Sequence, residues 1–172
     1  MTHRAPRHNP IVGFLAASLV AATFGCGPSG ARSPNPVVAI DEARAVTIIA
    51  KVLTDEGLQA TEARPIVLSG NVEVKLDVGV SDRKLGIIYF TAADAQELDN
   101  YRFSTPPEGP ELTIRVGIGP DAGMRVLFLF ASDYAYDDNV GTGRESPSKT
   151  AENKLARDVR DFAIFARKNR WP

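Results

Sequence analysis

The chain has 172 residues, and its 20 lysines and arginines nearly balance its 21 aspartates and glutamates, for a formal net charge of −1. Nothing in this balance suggests the strongly basic surface that is typical of nucleic-acid-binding proteins. Both histidines, His3 and His8, and the single cysteine, Cys26, fall within the first 26 residues. The rest of the chain is therefore unable to supply histidine- or cysteine-based catalysis, an ordinary zinc or copper site, or a haem ligand of either type.

The N-terminal segment has the composition of an export signal. Arg4 and Arg7 precede an uncharged run of 14 residues from Ile11 to Phe24, and a basic segment followed by a short apolar one is typical of secretory signals. As a helix this run would rise about 21 Å, which is less than the hydrocarbon thickness of about 30 Å. We therefore predict that residues 1–25 are a cleaved signal, and a permanent membrane span is the weaker interpretation.

The apolar run ends in Thr23-Phe24-Gly25-Cys26, which resembles the lipobox of bacterial lipoproteins. The resemblance covers residues 1–26. It implies cleavage before Cys26 and a thioether-linked diacylglycerol on that cysteine, with further N-acylation by a fatty acid such as palmitate. Two or more acyl chains anchor a protein stably to a membrane, whereas one chain binds only marginally.

The predicted location is therefore the cell envelope, with the protein lipid-anchored on the extracytoplasmic side of a bacterial membrane, in the periplasm or at the outer membrane. The alternative is a secreted protein that is cleaved after Ala22 and keeps Cys26 as a free thiol. A lone cysteine argues against that alternative, because proteins of oxidising compartments usually use cysteines in pairs.

Residues 26–36 are predicted to form a flexible linker, because they consist mostly of turn-forming residues. A linker of this composition spans about 20 Å as a coil. Residues 37–172 then form a single globular domain of ordinary length. Loss of Arg4 and Arg7 with the signal changes the formal net charge from −1 to −3.

The domain begins with a predicted helix that runs from Asp41, its N-cap, to a stop at Gly57. Apolar residues recur along it at the spacing of one helical face: Ala45, Ile48, Ile49, Val52 and Leu53. Three strands are expected next. Residues 66–69 are short and apolar, residues 72–80 alternate between apolar and polar side chains or glycine, and residues 85–90 are apolar on both faces.

A capping box at Thr91-x-x-Asp94 predicts a short second helix. Two further strands are expected at residues 112–118 and 124–131, and a last helix from about Thr150 to Asn169. The predicted buried stripe of that helix is Leu155, Val159, Phe162, Ala163 and Ala166. The order α-β-β-β-α-β-β-α with short turns predicts an α+β fold, a sheet of about five antiparallel strands with the two long helices on one face.

Two long loops are predicted to meet at one end of this sheet. The fourth and fifth strands form a hairpin, so the loop that enters it, residues 99–110, and the loop that leaves it, residues 132–149, emerge together. Aromatic and acidic side chains typical of recognition surfaces are concentrated there: Tyr101, Phe103, Asp133, Tyr134, Tyr136, Asp137 and Asp138. The alternative is that the rings fold back as lids on the edge of the core.

Three other patterns each have a simpler explanation. Asp137-x-Asn139-x-Gly141 has the alternating oxygen ligands of a calcium loop, but without the full spacing, and a solvated acidic loop is favoured. Glu73-x-Lys75 is similar to the carboxylate–lysine pattern of metal-dependent nucleases, although it equally fits the polar face of a strand. The last helix is basic and amphipathic, which suits anionic lipid, although a core helix with a solvated face is favoured. No metal or cofactor is predicted.

The leading functional hypothesis is a membrane-anchored envelope lipoprotein that is not an enzyme and binds or assembles with an envelope protein or a cell-wall component through the two loops. The acids there would favour a cationic partner. The alternative is a small carboxylate-dependent hydrolase of envelope glycans, which would need two carboxyl groups in one cleft. A purely structural role is the third possibility. No catalytic residue is assigned from the sequence.

Overall fold

The computed structural model describes residues 37–98, 111–137 and 146–172. The signal, Cys26 and the linker lie outside these ranges, as do residues 99–110 and 138–145. The described elements are β1 (Val38–Ala39), α1 (Glu42–Asp55), β2 (Ala60–Thr61), β3 (Arg64–Leu68), β4 (Val72–Leu76), β5 (Val78–Val80), β6 (Leu85–Phe90), α2 (Ala92–Glu97), β7 (Thr113–Val116), β8 (Arg125–Phe130), β9 (Ala135–Tyr136) and α3 (Pro147–Lys168). Short 3-10 turns, Gly119–Asp121 and Ala131–Tyr134, flank β8.

Helix α1 begins and ends as its sequence predicts. The Asp41 side chain accepts a hydrogen bond from the backbone N–H of Arg44 at 3.2 Å and caps the N-terminus. Gly57 has a φ of 73°, in the left-handed region that glycine adopts without a steric penalty. The N–H of Leu58 then donates to the carbonyl of Leu53 at 2.8 Å, which is the long bond of a Schellman motif.

The other two helices also confirm their sequence signals. Thr91 and Asp94 form the predicted capping box at the start of α2. Helix α3 starts at Pro147, three residues before the predicted Thr150, and proline suits the first helical turn because its missing N–H would have no partner there. The predicted stripe of α3 is buried, with Phe162 at 0 % exposure.

The main sheet has five strands in the order β2-β5-β6-β8-β7, so the α+β class is confirmed. The sheet is mixed, because β6 and β8 run parallel, with Leu85 opposite Arg125 and Phe90 opposite Phe130. The prediction of antiparallel pairing throughout is wrong for this pair. Strand β7 pairs with β8 in a hairpin and lies at the edge of the sheet, so β8 lies between β7 and β6. The connection from β6 to β8, which includes α2, is long enough for the crossover that parallel strands need.

The single strand predicted over residues 72–80 is broken at Asp77. Strand β4 pairs with β3 in a separate hairpin, whereas β5 pairs with β6 in the main sheet. Gly79 lies opposite Gly86 in that pairing. A Cβ on Gly86 would come within 2.4 Å of Leu76 Cδ1, so Leu76 lies directly against Gly86 where the chain leaves the main sheet.

Both faces of the main sheet are covered. Helices α1 and α3 pack on one face, where Ile49, Leu155 and Phe162 meet Ile87 and Leu127. The β3–β4 hairpin covers the other face, where its side chains meet those of β6 and β8: Ile66, Leu68, Val74, Leu76, Ile88, Phe90, Val126 and Phe128. Both clusters belong to one compact unit of the chain.

A search of the described residues for a helix long and apolar enough to cross a membrane finds none.

Candidate functional site

The predicted recognition loops are described in part. Tyr101, Phe103, Asp138 and Asn139 lie outside the described residues, and so does most of the calcium-like pattern. Within the described ranges, no group of three or more potential side-chain ligands could hold a metal ion. Residues 132–137 follow β8 at the end of the sheet where the sequence places the loop.

Tyr134 is not exposed. Its side chain is 3 % accessible, and its ring centroid lies 6.2 Å from that of Tyr89 in the helix-covered core. The Tyr134 hydroxyl donates to Asp158 Oδ2 at 2.9 Å, and Lys154 Nζ lies 4.3 Å from the ring centroid. The prediction of an exposed recognition ring is wrong for Tyr134, because the 3-10 turn after β8 directs it back against α3 as the lid alternative describes.

The neighbouring predicted residues are more accessible. Asp133 is exposed, and Tyr136 and Asp137 are partly buried. Tyr136 belongs to β9 and lies opposite Val38 in the β1–β9 pair. The structure therefore keeps the acids of this segment near the surface while one of its two tyrosines joins the core.

A pocket of about 460 Å³ lies beside this turn. It forms at a step in the sheet, because β7 begins at Thr113, opposite Phe128, whereas β8 continues to Phe130. Helix α3 forms another wall. The charged and hydroxyl-bearing side chains that line the pocket are Glu111, Asp133, Tyr134, Lys154 and Asp158. We call it the step pocket.

The charges of the step pocket are unevenly satisfied. Asp158 accepts from Tyr134 and pairs with Lys154 Nζ at 3.3 Å. Burial, and then the negative charge of Asp158, raise the pKa of the Tyr134 hydroxyl, which therefore remains a hydrogen-bond donor. Glu111 and Asp133 have no ion-pair partner among the described residues. The pocket thus offers two uncommitted carboxylates, which suits a cationic ligand group.

A second cleft of about 320 Å³ opens where β4 leaves the main sheet, beside α2 and the first turn of α1. Its ionisable lining residues are Glu42, Glu73, Lys75, Asp77, Asp94 and Glu97. Lys75 Nζ lies 3.9 Å from Glu42 Oε1. Glu73 and Lys75, the pair that is similar to a nuclease pattern, are exposed on β4 and line this same cleft. We call it the Asp77 cleft.

Asp77 is the residue that sequence reasoning missed. It is 9 % exposed, and its Oδ2 accepts from the backbone N–H of Tyr89 at 2.8 Å. Without this bond the Tyr89 N–H would have no strand partner on that side, because β4 pairs with β3 and does not continue the main sheet beside β6. Oδ1 has no hydrogen-bond partner among the described residues. The available sequence signal was weak: an aspartate in a strand-like run, where aspartate is uncommon.

The surroundings of Asp77 favour its neutral form. Burial is the main cause, and the charges of Glu42 and Asp94 act in the same direction, while the Tyr89 hydrogen bond and Lys75 oppose them; together they raise the pKa of Asp77 to about 6. A carboxyl group whose pKa is raised by burial, beside other carboxylates, is the arrangement that acid–base hydrolysis of glycosides uses.

Comparison with known protein families, with curated proteins and with solved structures finds no match to this chain.

Proposed function

We propose that the protein is a membrane-anchored envelope lipoprotein that is not an enzyme and that binds a cationic group of an envelope protein or a cell-wall component in the step pocket. The observation that carries this proposal is the pair of uncommitted carboxylates, Glu111 and Asp133, at the rim of a pocket large enough for an amine-bearing side chain or sugar. Lys154 and Tyr134 are committed to Asp158 and form its rigid wall.

The rigid wall supports binding of a ligand. Tyr134 is fixed by its hydrogen bond to Asp158 and by its contact with Tyr89. Because those side chains are already held in place, a ligand would lose little energy to ordering them. Its orientation would then be set by the two carboxylates at the rim.

The binding test compares two matched variants of the chain. Glu111→Gln with Asp133→Asn removes both free carboxylates of the pocket, and Asp55→Asn with Glu62→Gln removes two exposed acids elsewhere. Wild type and control should capture the same envelope component, or sediment equally with insoluble cell-wall sacculi. The pocket variant should lose at least tenfold of that binding, with its thermal midpoint within a few degrees of wild type. Equal binding by all three proteins would contradict the proposed site.

The anchor has a separate test. Cys26→Ser should move the protein from the detergent-soluble membrane fraction to the soluble fraction, and metabolic labelling with palmitate should be lost with it. Membrane retention of the variant at the wild-type level would show that something other than a lipid on Cys26 holds the protein.

The Asp77 cleft favours a second candidate, a small carboxylate-dependent hydrolase of envelope glycans. With Oδ2 bound to the N–H of Tyr89, a proton on Asp77 would lie on Oδ1, the oxygen without a partner. That oxygen would then protonate a leaving group, while a neighbour such as Glu73 or Asp94 would supply the second carboxylate.

The two candidates differ in a direct assay. A hydrolase should release soluble fragments from sacculi, and the release should fall as pH rises above about 6 because Asp77 loses its proton. Asp77→Asn should abolish it, and Glu62→Gln should not. If wild type releases nothing across the range from about pH 4 to 8, the hydrolase candidate is wrong and the binding proposal is untouched.

A further inference from the structure

The C-terminal end of α3 presents large apolar side chains to solvent. Ile164 is 47 % and Phe165 44 % exposed. The Phe165 ring meets the Trp171 ring edge-on with centroids 5.2 Å apart, and Trp171 in turn lies 6.2 Å from Phe162 in the core. The exposed residues are therefore held on a rigid support, and they do not belong to a loose chain end.

Cationic side chains surround these rings. The Arg125 guanidinium lies 5.6 Å from the centroid of Trp171, and Arg83 Nη1 donates to the carbonyl of Trp171 at 3.1 Å. Lys84 lies beside the last residues of the chain, since its backbone N–H donates to the Pro172 oxygen at 2.7 Å. Two more cations, Lys168 and Arg170, flank the end of the helix. We call this surface the basic–aromatic end.

The cations of the basic–aromatic end differ from those farther along the α1–α3 contact. Arg160 and Arg167 both pair with Glu56 of α1. In contrast, none of the five cations of the basic–aromatic end has an ion-pair partner among the described residues. The negative groups in the same segments are fewer than the five cations: Asp82, beside Arg83, Asp161, one turn before Phe165, and the terminal carboxyl group of Pro172. A positive excess thus surrounds the exposed apolar side chains.

We propose that the basic–aromatic end docks on an anionic lipid bilayer. Phenylalanine and isoleucine can enter the boundary between headgroups and acyl chains, and tryptophan favours that depth. Lysine and arginine are attracted to anionic headgroups, each contributing a factor of about five to binding. Five cations without an ion-pair partner among the described residues, together with two exposed apolar side chains, fit this partner in both charge and hydrophobicity.

This lipid contact goes beyond the proposed function, since it involves neither Cys26 nor the step pocket. It also lies far from the start of the domain. Strand β8 runs from Arg125, which stacks on Trp171, to Phe130, and β1 pairs with β9 beyond that end. Six residues of strand span about 17 Å, so this surface and Val37, the first described residue, lie toward opposite ends of the sheet.

The test uses residues 26–172, the predicted mature chain, with Cys26→Ser so that no lipid is present. Trp171 is the only tryptophan in the chain, so its fluorescence reports on this surface alone. Vesicles of phosphatidylcholine with about one third phosphatidylglycerol should bind the protein, and lipids brominated in their acyl chains should quench Trp171. Pure phosphatidylcholine vesicles should bind at least tenfold more weakly, and added salt should weaken the binding to anionic vesicles.

Two variants remove the two contributions separately. Lys168→Gln with Arg170→Gln should weaken binding to anionic vesicles about 25-fold, the product of two single-cation factors. Ile164→Ser with Phe165→Ser should weaken binding and abolish quenching by brominated lipids. The control, Lys51→Gln with Arg157→Gln, removes two exposed cations outside this end and should change binding less than threefold.

The variants change exposed residues, and circular dichroism of each should match wild type. If one of them fails to fold, the other still tests the surface. Absence of wild-type binding to anionic vesicles, equal binding to neutral vesicles, or an equal loss in the control variant would each overturn the proposal.

Discussion

The two faces of the main sheet are covered by layers of very different size. Helices of 14 and 22 residues, α1 and α3, cover one face, whereas a hairpin of two five-residue strands covers the other. On the helix side the buried hydroxyls are fully used: Tyr89 donates to the carbonyl of Ile40 at 2.8 Å, and Tyr134 donates to Asp158. On the hairpin side a carboxyl group, Asp77, is buried, and its Oδ1 has no hydrogen-bond partner among the described residues.

The difference shows where a small domain can hold chemically active groups. A broad helical layer seals the sheet, and polar groups beneath it are tied into fixed hydrogen bonds. A narrow hairpin stops short of the sheet's end and leaves a cleft in which an acid can be desolvated and still face solvent. The buried carboxyl group with a raised pKa therefore lies on the hairpin side, and the larger contribution of packing to the free energy of unfolding is expected from the helix side.

The largest expected effect tests the helix side. Phe162→Ala should lower the free energy of unfolding by about 3–5 kcal/mol, because it leaves a cavity between α3 and the sheet. Ile164→Ala, two residues on and exposed, should change it by less than about 0.5 kcal/mol. Chemical denaturation at neutral pH measures both, and a loss below about 1 kcal/mol for Phe162→Ala would contradict the role given to this layer.

The next effect tests the hairpin side through pH. The pKa of Asp77 is about 6 in the folded protein, compared with 3.8 for an aspartate exposed to solvent in the unfolded chain. Between these values the folded protein holds more protons than the unfolded chain, so the contribution of Asp77 to stability falls as pH rises. The full difference corresponds to at most about 3 kcal/mol.

Asp77→Asn should remove this dependence, because the asparagine oxygen still accepts from the N–H of Tyr89 and does not ionise. The difference in unfolding free energy between variant and wild type should therefore grow in favour of the variant from about pH 4 to about pH 7. A difference that stays constant over that range would show that Asp77 ionises normally and that the cleft is well hydrated.

The smallest effect concerns the wall of the step pocket. Tyr134→Phe keeps the ring and removes its hydrogen bond to Asp158, which should cost about 1–2 kcal/mol because the acceptor is charged. Tyr136→Phe is the matched control and should change stability by less than about 0.5 kcal/mol. If the two substitutions have the same effect in urea denaturation, the Tyr134 hydroxyl does not hold the wall in place.

The sequence was sufficient where local periodicity decides the outcome. The helix stop at Gly57, the capping box at Thr91 and the stripe that contains Phe162 depend on residues within a few positions of each other. The α+β class follows from the same local patterns. These features are confirmed because neighbours along the chain satisfy most of the interactions that form them.

The sequence was insufficient where a distant partner decides. Alternation over residues 72–80 is identical for one strand or two, and the break at Asp77 depends on the room that Gly86 leaves for Leu76. Likewise, nothing near Tyr134 in the sequence distinguishes an exposed ring from one beneath α3. Either strand of the β7–β8 hairpin could pair with β6. The sequence pattern of the hairpin does not determine which of the two strands lies at the edge of the sheet.

The parallel pair at the centre of the sheet has a consequence for how the chain folds. Strands β6 and β8 are separated by 34 residues. Their pairing therefore closes a long loop, and the entropy of closing it is lost before the contacts between the strands can stabilise the sheet. All six residues of β6 are buried in the finished sheet. Until β8 arrives, β6 has an unpaired apolar edge, which is the kind of surface on which nascent chains associate. Slow folding and a need for protection during synthesis are therefore expected to originate at this strand.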